Sequence, residues 1–238
     1  MYEVVWAYGL CNRRGPAGGT PLGWRRVHMN ESSIPVSNYI FCLMGKSATG
    51  KDTIHRKIRE KLSRPGAPDV GEVVPYTTRP IRTGEENGVN YWFENEEQYE
   101  EAAEEGRIIE ARAYNTVHGI WRYYTKDDGQ IDLGRRSYLI IGTLESYRSY
   151  CEYYGANRIV PFYIEVEERE RMRRAVHREN KQENPHYAEM CRRFLADEED
   201  FSEEKLAAAG ITHRYDNVDS DLCAEELLQV IREMLVQP

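Results

Sequence analysis

The sequence predicts an α/β fold, a parallel sheet with helices on both faces, and three observations point there. Apolar runs of strand length recur at Tyr39-Ile-Phe-Cys-Leu-Met44, Tyr138-Leu-Ile-Ile141 and Ile159-Val-Pro-Phe-Tyr-Ile164, and helical patterns lie between them. The runs are continuous rather than alternating, as expected of strands buried on both faces. The first run breaks at a glycine and passes through Gly45-Lys-Ser-Ala-Thr-Gly-Lys-Asp-Thr53 into an amphipathic helix, which puts that turn at the carboxyl end of a strand, where such sheets bind ligands.

The elements follow in order. Ile54, Ile58 and Leu62 carry a helical period from Lys51, and Arg64-Pro-Gly-Ala-Pro68 ends it. Glu72-Val-Val74 is β-branched enough for a short strand, and residues 76–91 are too rich in turn formers for a packed element. A helix is expected over 96–105, a strand over 107–114, a hairpin turn at 115–119 and a returning strand over 121–125, together a small β-rich lobe. The α/β rhythm resumes with the strand at 138–141, a helix at 144–154 and the strand at 159–164. A charged helix over 167–177, a turn over 178–185 and a helix over 187–208 come next, then a strand at 212–215 and a closing helix at 222–236.

With 238 residues the chain is long enough for one compact unit with lobes. Its net charge of −8 argues against general affinity for nucleic acid or anionic membranes, so an anionic ligand needs a local basic site. The five cysteines are odd in number, scattered and without a C-x-x-C pair, which reads as reduced cytosolic thiols. No apolar stretch approaches the roughly 20 residues of a membrane helix, and the start lacks a secretory core; the expectation is a soluble cytoplasmic protein. Residues 1–36 form a basic Gly/Pro-rich tail, with Arg13-Arg14 and Arg25-Arg26, that cannot pack a core and is expected to be disordered. Met29 is an alternative start.

Residues 45–53 have the pattern of a phosphate-binding loop. Glycines let backbone N–H groups turn inward around an anion, the helix N-terminus adds partial positive charge, and Lys51 reaches the outer phosphates. Gly45, Lys46, Ser47, Ala48, Thr49, Gly50, Lys51, Asp52 and Thr53 are thus candidates for binding a triphosphate. Where the pattern wants a hydroxyl after the lysine, this chain has Asp52, with Thr53 one place later; both are candidate ligands for Mg²⁺. The bland alternative is a glycine-bearing turn that binds nothing. In Thr77-Thr-Arg-Pro-Ile-Arg-Thr-Gly-Glu-Glu-Asn-Gly-Val-Asn-Tyr91, two arginines three apart on a turn-rich segment, with a tyrosine nearby, suit a second phosphate.

That second segment closely resembles the T-T-R-x-x-R-x-G-E-x-x-G-x-x-Y pattern of the guanylate kinases, and the likeness in element order runs from about Tyr39 to the C-terminus. The resemblance implies ATP-dependent phosphoryl transfer, with Mg²⁺, to a nucleoside monophosphate, most simply GMP to GDP in purine nucleotide metabolism. It implies a core over 37–74, 137–166 and 209–238, a monophosphate-binding lobe over 75–125, and a helical lid over about 167–208 within a domain of 37–238. Arg79, Arg82, Tyr91 and Tyr123 would hold the acceptor phosphate, and Glu110 and Thr125 would face guanine. Lid arginines Arg174, Arg178 and Arg193 would join Lys51 in catalysis, and Asn217 would lie near the adenine of ATP. Arg169, Arg171 and Arg173 read instead as a solvated helix face paired with glutamates. Nucleotides are the expected partners, with no nucleic acid or membrane, in a monomer or small homo-oligomer.

Besides Asp52, two positions depart from the family pattern. Pro75 replaces the serine before the threonine pair, and the strand end Leu139-Ile-Ile-Gly-Thr-Leu-Glu145 lacks the family's two aspartates. These departures keep two other readings open: a guanylate-kinase-like protein-binding module without catalysis, and a kinase for a different nucleotide acceptor.

Overall fold

The computed structural model describes residues 38–82, 84–116 and 119–236; the expected tail and the alternative start at Met29 lie outside them. In chain order come β1 (Ile40–Met44), α1 (Lys51–Leu62), β2 (Val70–Gly71), β3 (Tyr76–Thr77), β4 (Trp92–Phe93), α2 (Glu96–Glu104), β5 (Ile108–Thr116) and β6 (Gly119–Lys126). Then follow β7 (Ser137–Ile141), α3 (Leu144–Tyr154), β8 (Ile159–Glu165), α4 (Glu168–Asn180), α5 (Tyr187–Asp200), α6 (Glu203–Ala208), β9 (Tyr215–Asp216) and α7 (Ser220–Val236). A five-stranded parallel sheet has the order β2-β7-β1-β8-β9, and a four-stranded sheet has the order β4-β3-β6-β5.

Strand β1 lies at the centre because every one of its residues is apolar and can be buried. Successive side chains point to opposite faces. Ile40, Cys42 and Met44 therefore join Leu144, Tyr147 and Tyr150 of α3 in one core, while Phe41 and Leu43 join Ile54 and Ile58 of α1 and Leu227, Leu228 and Ile231 of α7 in the other. Burying a leucine or isoleucine of this kind is worth about 1.5–3 kcal/mol. Helices on both faces of one sheet follow directly, as the continuous apolar runs predict.

The helix starts are written in local chemistry. Asn95 with Gln98 and Thr143 with Ser146 form capping boxes at α2 and α3. Five expectations need correction, the first being that Tyr76 and Thr77, placed in a segment without packed elements, form the buried strand β3, held by pairing with β4 and β6. The strand expected at 72–74 lies two residues earlier, because Pro75 has no ladder N–H and Val74 donates instead to Gln130 Oε1 at 3.1 Å. The helix expected to end at 177 runs to Asn180, where the buried Glu179 accepts from the backbone of His186. The helix expected over 187–208 is two helices, because Ser202 caps a new one at Lys205 N. The last strand pairs only Tyr215 and Asp216 with β8, Thr212 and His213 being exposed.

Candidate nucleotide-binding site

The loop after β1 folds as its glycines require. Gly45 has φ +156°, and a Cβ there would stand 2.6 Å from the Ile164 carbonyl oxygen; Gly50 has φ +86°, and its Cβ would meet Asn217 Nδ2 at 2.5 Å. Neither position accepts another residue without displacing backbone or the buried Asn217. Asn217 donates from Nδ2 to the Thr49 carbonyl at 2.7 Å, and Thr49 Oγ1 donates to the Lys46 carbonyl at 2.9 Å, so the loop is braced from within. Gly50 caps α1 without any side-chain hydrogen bond, which leaves the first-turn N–H groups and the helix dipole available to an anion.

A cleft of about 1450 Å³ brings the loop together with both flanking regions. Gly45 and Ser47 line it from the loop and Lys51 and Asp52 from the start of α1; Arg82 and Tyr91 line it from the β3–β4 connection, Glu110, Tyr123 and Thr125 from β5 and β6, and Arg193 from α5. Residues distant in sequence, Lys51 and Tyr123 for example, thus face one space. Thr53 is exposed and, like Arg174, Arg178 and Asn217, is not among the lining residues. Arg174 lies behind the loop, donating to the Asn217 carbonyl at 3.0 Å and to Glu170 at 2.8 Å, and Arg178 is exposed on the last turn of α4.

Arg79 sits below the cleft wall, only 3% exposed. Its fork grips Glu85 at 2.7 and 2.5 Å, its Nε donates to Tyr123 Oη at 3.1 Å, and its carbon Cζ lies 5.1 Å from the Tyr91 ring and 5.3 Å from that of Phe93. The hydrogen bonds from Arg79 hold the Glu85 carboxyl at a pKa of about 2. Arg79 therefore fixes both cleft-lining tyrosines, and Arg82, anchored through its own N–H to Glu85 at 2.8 Å, carries the exposed charge.

Deeper in the four-stranded sheet, Glu110 is 4% exposed. Thr125 Oγ1 donates to its Oε1 at 3.1 Å and also contacts Tyr150 Oη at 2.8 Å. Burial pushes the Glu110 carboxyl up, against the opposing pull of Arg112 and the Thr125 hydroxyl.

On α4 and α5 one expectation fails. Arg171 is not on a solvated face: it is 2% exposed, stacks 3.6 Å over the Phe194 ring, and pairs with Asp197 and Glu198 of α5. Those two acids in turn reach the loop, Asp197 Oδ2 accepting from Ser47 N at 2.8 Å and Glu198 from Lys46 Nζ at 2.5 Å. A carboxylate thus holds an N–H donor of the anion cradle. Arg169 and Arg173 are exposed, and Arg173 pairs with Glu170, as a solvated face requires.

Sequence patterns did not single out Asp197, Arg112 or Glu85, although two carried a signal. Glu189, Arg193 and Asp197 recur every four residues on α5 and line the cleft together, and Glu110 and Arg112, two apart on one strand, share a face. As to a metal, no group of three or more histidines, cysteines or acids converges among the described residues. Mg²⁺ commonly needs only one or two carboxylates beside phosphate oxygens and water. Asp52, a carboxylate that lines the cleft next to Lys51, fits that demand.

Residues 37–121 match the sequence model of the guanylate kinase family. The chain is similar to the guanylate kinase of Oceanobacillus iheyensis, with 32% identity over 95 residues that cover 40% of this chain and 44% of that one. It is similar also to the guanylate kinase of Chlorobium luteolum, with 42% identity over 64 residues covering 27% and 30%. The chain thus spans less than half the length of the curated relatives it matches. The crystal structure of guanylate kinase from Anaplasma phagocytophilum has the same fold, with a TM-score of 0.59 at 18% identity over 85% of this chain and 88% of that one. The likeness to the guanylate kinase family in sequence thus lies in residues 37–121, and the likeness in fold extends over 85% of the chain.

Proposed function

We propose that the protein transfers the γ-phosphoryl group of ATP to GMP, giving ADP and GDP. The observation that carries this reading is the single cleft in which a phosphate loop with Lys51 faces Arg82, Tyr91, Glu110 and Tyr123. One side suits a triphosphate, the other a purine monophosphate.

The chemistry asks for positioning and charge rather than for a protein nucleophile. An oxygen of the acceptor phosphate, already anionic, attacks the γ-phosphorus; the bond to the β,γ-bridging oxygen breaks, and ADP leaves with that electron pair. No general base is needed. Loop N–H groups and Lys51 hold the donor phosphates, Arg82 and the two tyrosines fixed by Arg79 hold the acceptor, and Arg193 on α5 brings a cation to the transferring group. Asn217 and Arg174 act as positioning residues behind the loop. Asp52 would hold Mg²⁺, which when bound neutralises phosphate charge. Thr53, Thr125 and Arg178 take supporting parts: a hydroxyl on the first turn of α1, a hydroxyl that aims Glu110, and a lid cation. The intact Lys51 and both loop glycines favour catalysis over a bare protein-binding module.

No helix among the described residues is long and apolar enough to cross a membrane. A bisubstrate analogue joining adenosine and guanosine through five phosphates tests the two-sided cleft. Calorimetry should show it binding at least 100-fold more tightly than ATP or GMP alone. Equal affinities would contradict a shared cleft.

A further inference from the structure

The pair Glu110 and Arg112 carries an unused recognition capacity. Arg112 Nε stands 3.3 Å from Glu110 Oε2, yet both buried atoms lack a hydrogen-bond partner, so the contact is an ion pair without the alignment of a hydrogen bond. Buried polar atoms are nearly always satisfied, and exceptions at a cavity wall call for an explanation. Both residues line the cleft. Thr125 already occupies the other oxygen of Glu110, which turns Oε2 toward Arg112 and the open space. Pro75, on the same wall, offers no side-chain donor.

Resting on the GMP reading above, we infer that Arg112 reads the exocyclic oxygen of the acceptor base, donating to O6 while Glu110 accepts from N1–H and the 2-amino group. A guanidinium is a donor only, and a carboxylate is an acceptor only when ionised. Side by side they match the donor and acceptor order of a 6-oxopurine edge and oppose that of adenine, whose 6-amino group would face Arg112 and whose N1 lone pair would face Glu110. An arginine here supplies what proline at 75 cannot. Arg112 thus acts as a specificity residue of this chain, beyond charge compensation for Glu110.

The test separates the two edges of the base. Binding of GMP, IMP, which lacks the 2-amino group, and 2-aminopurine riboside 5′-monophosphate, which lacks O6 and with it the N1 proton, is measured by calorimetry on the full chain and on Arg112→Ala, Arg112→Gln and Arg112→Lys. The wild type is expected to prefer GMP over the 2-aminopurine nucleotide by about tenfold or more. In Arg112→Ala that ratio should fall about threefold or more, to the part that Glu110 sets by accepting from N1–H, while the GMP to IMP ratio stays, and Arg112→Gln and Arg112→Lys, which keep a donor, should fall less. A ratio unchanged in Arg112→Ala, with all acceptors weakened alike, would reduce Arg112 to a charge partner and overturn the inference. Binding of ATP by each variant reports an intact fold. A wild type that binds ATP but no purine monophosphate would overturn the GMP reading itself, a distinct outcome.

Discussion

Replacing Arg79 by alanine tests how the acceptor side is built. The guanidinium is buried against the rings of Tyr91 and Phe93 and makes four hydrogen bonds, two to Glu85, one to Tyr123 Oη and one to the Pro80 carbonyl. Each buried cation–ring contact is worth about 0.5–2 kcal/mol, and Glu85, partly exposed, regains water once released. The net loss of folding stability is therefore about 2–3 kcal/mol, a fall in Tm of about 4–12 °C for a chain of this size. The functional loss is larger in its own terms. A hydrogen bond to a charged group is worth about 1.5–3 kcal/mol, and Tyr123 and Tyr91 lose their anchor, so KM for the monophosphate should rise about 10- to 150-fold. The ATP side has its own supports, Asn217 and Thr49, and KM for ATP should move less than about twofold. Steady-state kinetics with ADP release coupled to a reporter reads both constants. Arg79→Lys, which keeps charge but not the fork, should fall between. A monophosphate KM unchanged in Arg79→Ala would refute the reasoning.

The other predictions concern the donor side and the base. Asp52→Asn should raise the Mg²⁺ concentration for half-maximal rate; an unaltered requirement in a magnesium titration would remove Asp52 from metal binding. Asp197→Asn removes the carboxylate that accepts from Ser47 N, so calorimetry should find ATP bound about threefold or more tightly, and weaker binding would mean that Asp197 supports the loop instead. The Glu110 carboxyl is raised by burial, so GMP affinity should fall on acidification from a pH above the ordinary carboxylate value of 4.5. A folded-state pKa above the unfolded one means stability lost as pH rises through it, so the Tm of Glu110→Gln relative to wild type should increase from pH 4 to 7. A flat difference would place Glu110 outside the buried wall.

Much of this was legible in the chain. Continuous apolar runs announce the parallel sheet because strands buried on two faces cannot alternate, and Gly45 to Lys51 announces an anion cradle because few other sequences tolerate that backbone. The spacing of Arg79 and Arg82 is visible too, but not that Arg79 is buried in a pair with Glu85 while Arg82 lines the cleft. Arg171 was not: its burial depends on Phe194 and Asp197, more than 20 residues away, and nothing on its own helix distinguishes it from Arg169 or Arg173. Asp197 escaped notice likewise, since an acid among acids on α5 acquires meaning only when the helix meets Ser47. The break at Ser202 hid behind a helical composition that a single capping hydroxyl interrupts. Short strands such as β2 and β9 slipped by two or three residues because their pairing partners, not their own residues, fix where they lie.

The most direct measurement is turnover of a panel of nucleoside monophosphates with ATP and Mg²⁺ by the full chain, each product resolved by chromatography. GDP should form from GMP much faster than ADP, CDP or UDP forms from AMP, CMP or UMP, and Lys51→Ala should abolish it. No turnover of any monophosphate, together with no binding of ATP by calorimetry, would contradict the phosphoryl-transfer account at its root.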